Sequence, residues 1–414
     1  MKHQLSVRLH GNPVGILEQT STGKMRFFYN ESAAEIISIG MPIREQAYDE
    51  IRCEAYFGGL LPESETVRKI IGKRYGVSAN NSFALLKAIG YDCAGAISFH
   101  ATDEPVNLQR VFPLSGRIID DDELYKHIRE LPKNPLFLGF DGLRLSLAGV
   151  QDKAAVCVID NKIALPDQGC PTTYILKPAI PGFEYIIENE YFCLKLANKI
   201  GLSAPHVEIR QIKDISFLLI ERYDRRVQNN QIERIHQEDF CQALGITSAK
   251  KYQNEGGPAL KNCFDLLKKT THPAIDRNKL VAMMIFNFLI GNRDAHGKNF
   301  SLLHKNQSQI SLAPFYDLLC TEVYPSLSRK MAMKIGSKYE SNKVLSRHWE
   351  RCCIEINYSF PALKKLIRTQ GESILRAATQ EKEQLFQINR NTSIVDKIID
   401  ILKQRISHTA RQFE

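Results

Sequence analysis

The chain has 414 residues, with 55 Lys or Arg against 46 Asp or Glu, and a formal net charge of +9. Hydrophobic residues make up 43% and charged residues 24%, the balance of a globular protein with two or three domains of about 100–200 residues each. That composition argues against a membrane span, a secretory signal, a disulfide framework or a zinc site. The longest apolar run, Leu280–Ile290, contains Asn287 and falls short of the roughly 20 residues a span needs. Met1-Lys2-His3-Gln4 leads into alternating residues rather than an apolar block. The ten cysteines are scattered, with no C-x-x-C, so reduced thiols in the cytoplasm are expected.

From the N-terminus, Leu5–Leu9, Val14–Leu17 and Lys24–Tyr29 read as a small meander, punctuated by Gly11-Asn12-Pro13 and Ser21-Thr22-Gly23. Two helices follow, Glu65–Tyr75 with Val67, Ile70 and Ile71 on one face, and Ser82–Ile89. Asn80-Asn81-Ser82 offers capping residues for the second. The two prolines in Leu131–Pro135 mark a loop or linker. Beyond it, strands are predicted at Arg144–Leu147, Ala154–Ile159 and Thr172–Leu176, then a helix from about Tyr185 to Ile200, then strands at Val207–Ile212 and Ser216–Ile220. From His236 onward the spacing is helical almost throughout, broken by strand candidates at Phe300–Leu303 and Ile310–Leu312. Residues 1–105 hold 11 basic and 12 acidic residues, so the positive excess lies further on. Seven basic residues against two acidic between Tyr324 and Arg351 read as a solvated face, or as a surface for nucleic acid or an acidic protein.

The chemistry-bearing residues come in a particular order. Lys177 ends a strand that otherwise reads buried, where pairing with ATP phosphates gives a lysine a reason to be, although an isolated lysine at a strand edge also snorkels. Glu188 and Glu190 lie on the next helix as candidate partners, Glu190 favoured. Asp294 and Asn299 form D-x-x-x-x-N after an apolar helix, and Asp317 follows in Tyr316-Asp317. In a kinase, one aspartate orients the acceptor hydroxyl as general base, while an asparagine and a second aspartate hold Mg²⁺. His296 reads as a brace for the loop. Lys298 reads either as a cation for the migrating phosphoryl group or as a surface lysine. Ser146–Lys153 sits where a phosphate-covering loop belongs, but with only Gly149 it lacks G-x-G-x-x-G, which disfavours a conventional protein kinase. Glu221-Arg222-Tyr223-Asp224 stands where a hinge would present its backbone to adenine.

Together, Ser146–Lys153, Ile175–Pro178, Glu188-Asn189-Glu190, Glu221–Arg225, Asn292–Ser301 and Tyr316-Asp317 closely resemble the HipA family of bacterial serine/threonine kinases, the toxins of type II toxin–antitoxin pairs. Phe57–Glu63, Phe83–Leu86 and Asp92–Ala96 resemble that family's N-terminal subdomain, so the likeness spans residues 1 to about 330. The resemblance implies that Lys177 contacts the ATP phosphates and that Lys153 closes the phosphate loop over the nucleotide. It implies that Glu221 and Tyr223 meet adenine, that Asp294 is the base, and that Asn299 and Asp317 ligate Mg²⁺. Ser146 matches the family's autophosphorylation site. The partners it implies are an aminoacyl-tRNA synthetase as substrate, notably the glutamyl enzyme, and a HipB-like helix-turn-helix antitoxin that brings the kinase to DNA indirectly. The basic stretch 324–351 would then touch DNA or antitoxin. Asp317 is followed by Leu318-Leu319 rather than glycine, so ideas about a flipping D-F-G loop do not transfer.

The expected fold is α+β: a bilobal kinase-like pair with a β-rich N-lobe (106–223) and a helical C-lobe (224–414), preceded by an α/β subdomain (1–105). Two other readings stand beside an active kinase toxin. One is a catalytically silent co-repressor module acting with a DNA-binding antitoxin, against which the full set of catalytic side chains speaks. The other is a small-molecule kinase, against which the Ser146–Lys153 loop and the N-terminal subdomain speak.

Overall fold

A computed structural model describes residues 3–106, 109–137, 146–149, 151–306 and 308–413. The chain divides into two compact units. One comprises Met1–Pro178, Arg210–Ala249 and Leu302–Ile310, and the other Ala179–Ile209, Lys250–Ser301 and Ser311–Glu414.

The first unit opens with β1 (His3–Leu9), β2 (Asn12–Gln19) and β3 (Met25–Tyr29), then α1 (Glu50–Tyr56), α2 (Glu65–Tyr75), α3 (Ser82–Ile89) and β4 (Ile97–Ala101). The strands form an antiparallel sheet in the order β3-β2-β1-β4, with Leu5 opposite Leu17 and Ala101. Helices α2 and α3 fall on their predicted spans. The Ser64 side chain accepts from the Val67 N–H, and Asn81 from the Ala84 N–H, so each helix starts on a capped donor. Helix α1, capped by Asp49, was not predicted, because seven residues are too few to show a helical period.

The unit continues with β5 (Val111–Pro113), β6 (Gly116–Ile118), α4 (Asp121–Glu130), β7 (Ala154–Ile159), β8 (Lys162–Pro166) and β9 (Tyr174–Pro178). After α5 (Ile186–Lys199) come β10 (Val207–Ile212), β11 (Ile215–Glu221), β12 (Arg225–Gln228), β13 (Gln231–Arg234), β14 (His236–Asp239) and α6 (Phe240–Leu244). The main sheet runs β10-β11-β9-β7-β8-β6, beside a small sheet β12-β13-β5. Strand β8, absent from the sequence expectations, pairs with β7 through Asp160-Asn161, both left-handed, as a tight hairpin turn requires. Of the strand expected at Arg144–Leu147, Arg144 and Leu145 lie outside the described residues, and Ser146 and Leu147 are not in a strand. The strand expected at Thr172 starts instead at Tyr174, because the Thr172 N–H and hydroxyl turn to the Asp92 carboxylate, at 3.0 and 2.8 Å.

The second unit holds α5, α7 (Leu260–Leu266) and α8 (Pro273–Ile290), followed after β15 (Ser301–Asn306) and β16 (Gln309–Leu312) by β17 (Lys330–Ile335), β18 (Lys338–Glu340), α9 (Ser346–Ile356), α10 (Phe360–Gln387) and α11 (Ser393–Phe413). The α+β class therefore holds, with one strand-rich unit and one mainly helical unit. The region after His236 carries more strand than its spacing promised, namely β14 and the β17–β18 hairpin. These are three to six residues long, too short to outweigh the helical periodicity around them. Helix α8 is buried on nearly every side from Leu280 to Ile290. Helix α10 buries Leu363, Ile367, Ile374, Ala378 and Leu385 at four- and seven-residue steps, the stripe of a packed amphipathic helix. Among the described residues, no helix is long and apolar enough to cross a membrane. All ten cysteines are free, and nine are buried.

Candidate active site

The expected site residues divide between the units: Ser146, Lys153, Lys177, Glu221 and Tyr223 in the first, and Glu190, Asp294, His296, Lys298, Asn299 and Asp317 in the second.

In the first unit, Lys177 is buried near the end of the central strand β9, opposite Leu218 of β11. On its other side β9 pairs with β7, Ala154 opposite Leu176. Extending that antiparallel register by one residue sets Lys153 across from Lys177. The loop before Lys153 is pinned at several points. Gln151 donates to the Pro178 carbonyl at 3.3 Å, and the Gly149 carbonyl accepts from the Glu63 N–H at 3.2 Å. Gly149 has φ +106°, and a Cβ there would lie 2.5 Å from the Lys153 Nζ. The positive φ favours glycine here, and a larger residue would also have to displace the flexible end of Lys153. Ser146 is 0% exposed; its hydroxyl donates to the Leu60 carbonyl at 2.7 Å, and its N–H to the Asp92 carbonyl at 3.1 Å.

The hinge segment follows strand alternation. Arg222 and Asp224 are buried, while Glu221 is exposed and Tyr223 half-buried, its hydroxyl bonded to Gln237. The buried side holds an ion cluster. Arg222 grips Asp224 in a fork at 3.0 and 2.8 Å, and Arg225 reaches Asp92 at 2.7 Å and Asp224 at 2.9 Å. Arg234 lies 3.7 Å from Asp92 and donates to the Ile97 carbonyl at 2.7 Å. Burial alone would raise the Asp92 carboxyl, but Arg225, Arg222 and Arg234 outweigh it and hold the group well below the usual carboxylate range. The same balance, with Arg222 and Arg225 against burial, leaves Asp224 at about 2. The Asp92–Ala96 and Glu221–Arg225 motifs are thus two halves of one cluster that fixes the segment expected to be the hinge.

In the second unit, α8 ends on Gly291 at φ +75°, whose N–H caps the carbonyls of Asn287 and Phe288. The loop that leaves it is fastened residue by residue. Asn292 donates to Asn287 Oδ1 at 3.0 Å and to the Asp317 carbonyl at 3.4 Å, and its own Oδ1 accepts the Asp294 N–H at 3.0 Å. One amide therefore ties the segment of the expected base to that of the expected metal ligand. The Arg293 N–H reaches Thr321 Oγ1 at 2.8 Å, its guanidinium pairs with Glu322 at 3.0 Å, and its carbonyl accepts from the Ala332 N–H at 2.8 Å. The Tyr252 hydroxyl donates to Asp294 Oδ1 at 2.7 Å. Asn299 Nδ2 donates to the Asp294 carbonyl at 3.0 Å, which leaves its Oδ1 available as an oxygen ligand.

Asp317 sits at φ +52°, a left-handed conformation that aspartate tolerates better than most residues. Just beyond it, Asn189 of α5 holds Cys320 at both ends, accepting from its N–H at 2.8 Å and donating to its carbonyl at 2.9 Å. Glu188 and Glu190 are buried on either side of Asn189. His296 is buried edge-on to Tyr252, ring centroids 5.1 Å apart, and Lys298 is buried with its carbonyl bonded to the Tyr316 hydroxyl at 2.6 Å. Sequence reasoning passed over Asn189, Asn292 and Tyr252. Asn189 and Asn292 sat inside quoted motifs, but a neutral amide announces no role until its partners are known.

Among the described residues, no group of three or more His, Cys, Asp and Glu gathers into a metal cage. The donors at hand, an asparagine oxygen and an aspartate, are hard oxygen ligands. They suit a cation such as Mg²⁺, which takes its other ligands from phosphates and water.

Comparisons with known proteins give the chain its family. Residues 145–384 match the HipA-like C-terminal domain, and residues 5–100 the HipA N-terminal domain. The protein Y4mE of Sinorhizobium fredii, named as a kinase, is 39% identical over 409 residues, covering 97% of each chain. The serine/threonine-protein kinase toxin HipA of Shewanella oneidensis is 30% identical over 298 residues, covering 69% of this chain and 67% of that one. The structure of the Shewanella oneidensis HipA, HipB and operator DNA complex contains a chain that superposes with a TM-score of 0.84 at 24% identity, covering 98% of this chain and 97% of that one. With both domains matched and a relative aligned over nearly its whole length, the chain belongs to the HipA family.

Proposed function

We propose that the chain transfers the γ-phosphoryl group of ATP to a serine or threonine hydroxyl of a protein. The observation that carries this reading is the Asn292 amide, bonded to both the Asp294 N–H and the Asp317 carbonyl, with Asn299 tied to the Asp294 carbonyl. A base and two oxygen ligands fixed on one loop system are what phosphoryl transfer asks of a protein. Asp294 accepts the proton of the acceptor hydroxyl, oriented by Tyr252. Lys153 and Lys177 neutralise the polyphosphate, and Glu221 and Tyr223 flank the adenine. Mg²⁺, held by Asn299 and Asp317, would neutralise charge on the phosphates. Lys298 supplies a further cation and His296 braces the loop.

The toxin role, the HipB-like antitoxin, indirect DNA contact and an aminoacyl-tRNA synthetase substrate are proposed here from family membership. Autophosphorylation at Ser146 is part of the same reading. Its hydroxyl is buried and bonded to Leu60, so a phosphate there has no room, and the segment must leave its seat.

Incubating the full chain with γ-labelled ATP and a lysate tests the reading. Label should enter one lysate protein and the chain itself. Asp294→Asn should lower transfer by about 10²–10⁴-fold with unchanged circular dichroism. Wild-type transfer by that variant would remove Asp294 from the mechanism.

A further inference from the structure

Helix α11 reaches the loop that carries Asp294 and Asn299 through one side chain. Arg405 has only 10% of its side chain exposed, and its guanidinium meets acceptors from three separate segments of the second unit. Nη1 donates to the Phe288 carbonyl in the last turn of α8, at 2.9 Å. Nη2 donates to the Glu322 carboxylate and to the Ser341 hydroxyl, the latter at 2.6 Å. The guanidinium also lies over the Phe288 ring, 5.0 Å from its centroid. A cation is favourable there, at the negative end of the α8 dipole, and the loop begins just beyond at Gly291.

Glu322 passes the contact on. Its second oxygen pairs with Arg293 at 3.0 Å, and its N–H donates to the Gly291 carbonyl at 3.1 Å. One carboxylate thus joins two guanidiniums, and Arg293 is the residue before Asp294.

Stability alone does not call for this arrangement. Burial pulls the Arg405 guanidinium below its ordinary range even with Glu322 opposing, and its Nε has no hydrogen-bond partner among the described residues. Apolar side chains of similar volume often match or better a buried ion pair of this kind. What they cannot supply is a planar fork that fixes Phe288, Ser341 and Glu322 relative to one another.

We propose that Arg405 is a positioning residue: acting through Glu322, it fixes the loop 291–299 and with it the Asp294 carboxylate. Its effect on phosphoryl transfer rests on the preceding reading, whereas its effect on the loop does not.

Arg405→Met in the full chain tests this, since methionine keeps an apolar stem without the fork, and Glu322 retains Arg293. Hydrogen exchange across residues 291–299 should become about tenfold faster, with α7 and β1 unchanged and the urea midpoint kept. The kcat should fall about tenfold while KM for ATP stays within about twofold. Arg293→Met should act alike, and the double variant should be no slower than the slower single, because both work through one carboxylate. Should Arg405→Met fail to fold, Arg405→Lys, which keeps the charge but not the fork, carries the test with the same signs.

Unchanged exchange across 291–299, wild-type kcat, or additive losses in the double variant would each overturn the proposal. So would a general rise in exchange with a lowered midpoint, which would reduce Arg405 to a stabilising role. A wild-type chain without phosphoryl transfer, alongside faster loop exchange in the variant, would count against the kinase reading alone.

Discussion

Asn292 and Gly149 do work that their residue types do not advertise. Asn292 spends one side-chain amide on three partners, so Asn292→Ala should release Asp294 and Asp317 together. The expected outcome is a fall in kcat of about 10²-fold, with KM for ATP changed less, as for loss of a geometric constraint. Gly149→Ala should act the other way. It strains a left-handed residue and pushes on Lys153, so KM for ATP should rise about tenfold while kcat is largely kept. Steady-state kinetics with varied ATP separates the two.

Asp92 shows what the sequence could reveal and what it could not. Its motif was visible, as was Glu221–Arg225, but their charges meet only across some 130 residues of chain. Nothing local distinguishes a carboxylate bound for a buried cluster from one bound for solvent. Asp92→Ala should destabilise the first unit by about 3–5 kcal/mol in urea unfolding, because three arginines lose a buried counter-charge. Asp294, Asn299 and Asp317 could be singled out for the opposite reason, since phosphoryl transfer would demand those residue types in that order.

At the scale of elements, long amphipathic helices were legible and short pieces were not. Helices α2 and α5 matched their predicted spans within a residue, since several turns of periodicity outvote any one position, whereas the eight-residue α3 was marked by the capping residues before it. Helix α1, strand β14 and the β17–β18 hairpin had too few residues to show a period. The β7–β8 hairpin was readable in hindsight from Asp160-Asn161. Helix α8 matters most for the proposed site, because its C-terminus aims the loop that carries Asp294 and Asn299. A Cβ on Gly291 would sit 2.9 Å from the Glu322 Cβ, at a left-handed φ. Gly291→Ala should therefore cost about 1–2 kcal/mol and shift the loop, lowering kcat. Urea unfolding and kinetics on one preparation show both effects.

For the molecule as a whole, buried titratable groups set its tolerance of acid. His236 donates from Nε2 to the Ile37 carbonyl at 2.9 Å and accepts the Ala96 N–H at Nδ1, at 3.4 Å, so both ring nitrogens are used by the neutral form. Burial, with His304 beside it, pushes its pKa well below 6.5. The unfolded chain therefore binds that proton first, and stability should begin to fall as the pH drops below about 6.5. Asp92 and Asp224, held low in the fold, stabilise fully above about pH 4 and lose that contribution as the pH falls toward their folded values. Urea midpoints measured down a pH series should show a first decline from His236 and a second, steeper one from the aspartates.

The ion cluster also constrains the making of the protein. Asp92 finds its arginines at 222, 225 and 234, and the first unit is completed only by residues 302–310. A nascent chain that has just cleared the ribosome with its first hundred residues holds a carboxylate destined for burial and none of the three arginines that meet it in the fold. At about 5–20 residues per second, several seconds of synthesis separate the two. The amino-terminal third must wait, half-built, for the middle of the chain, and a protein truncated before Arg222 never settles that charge.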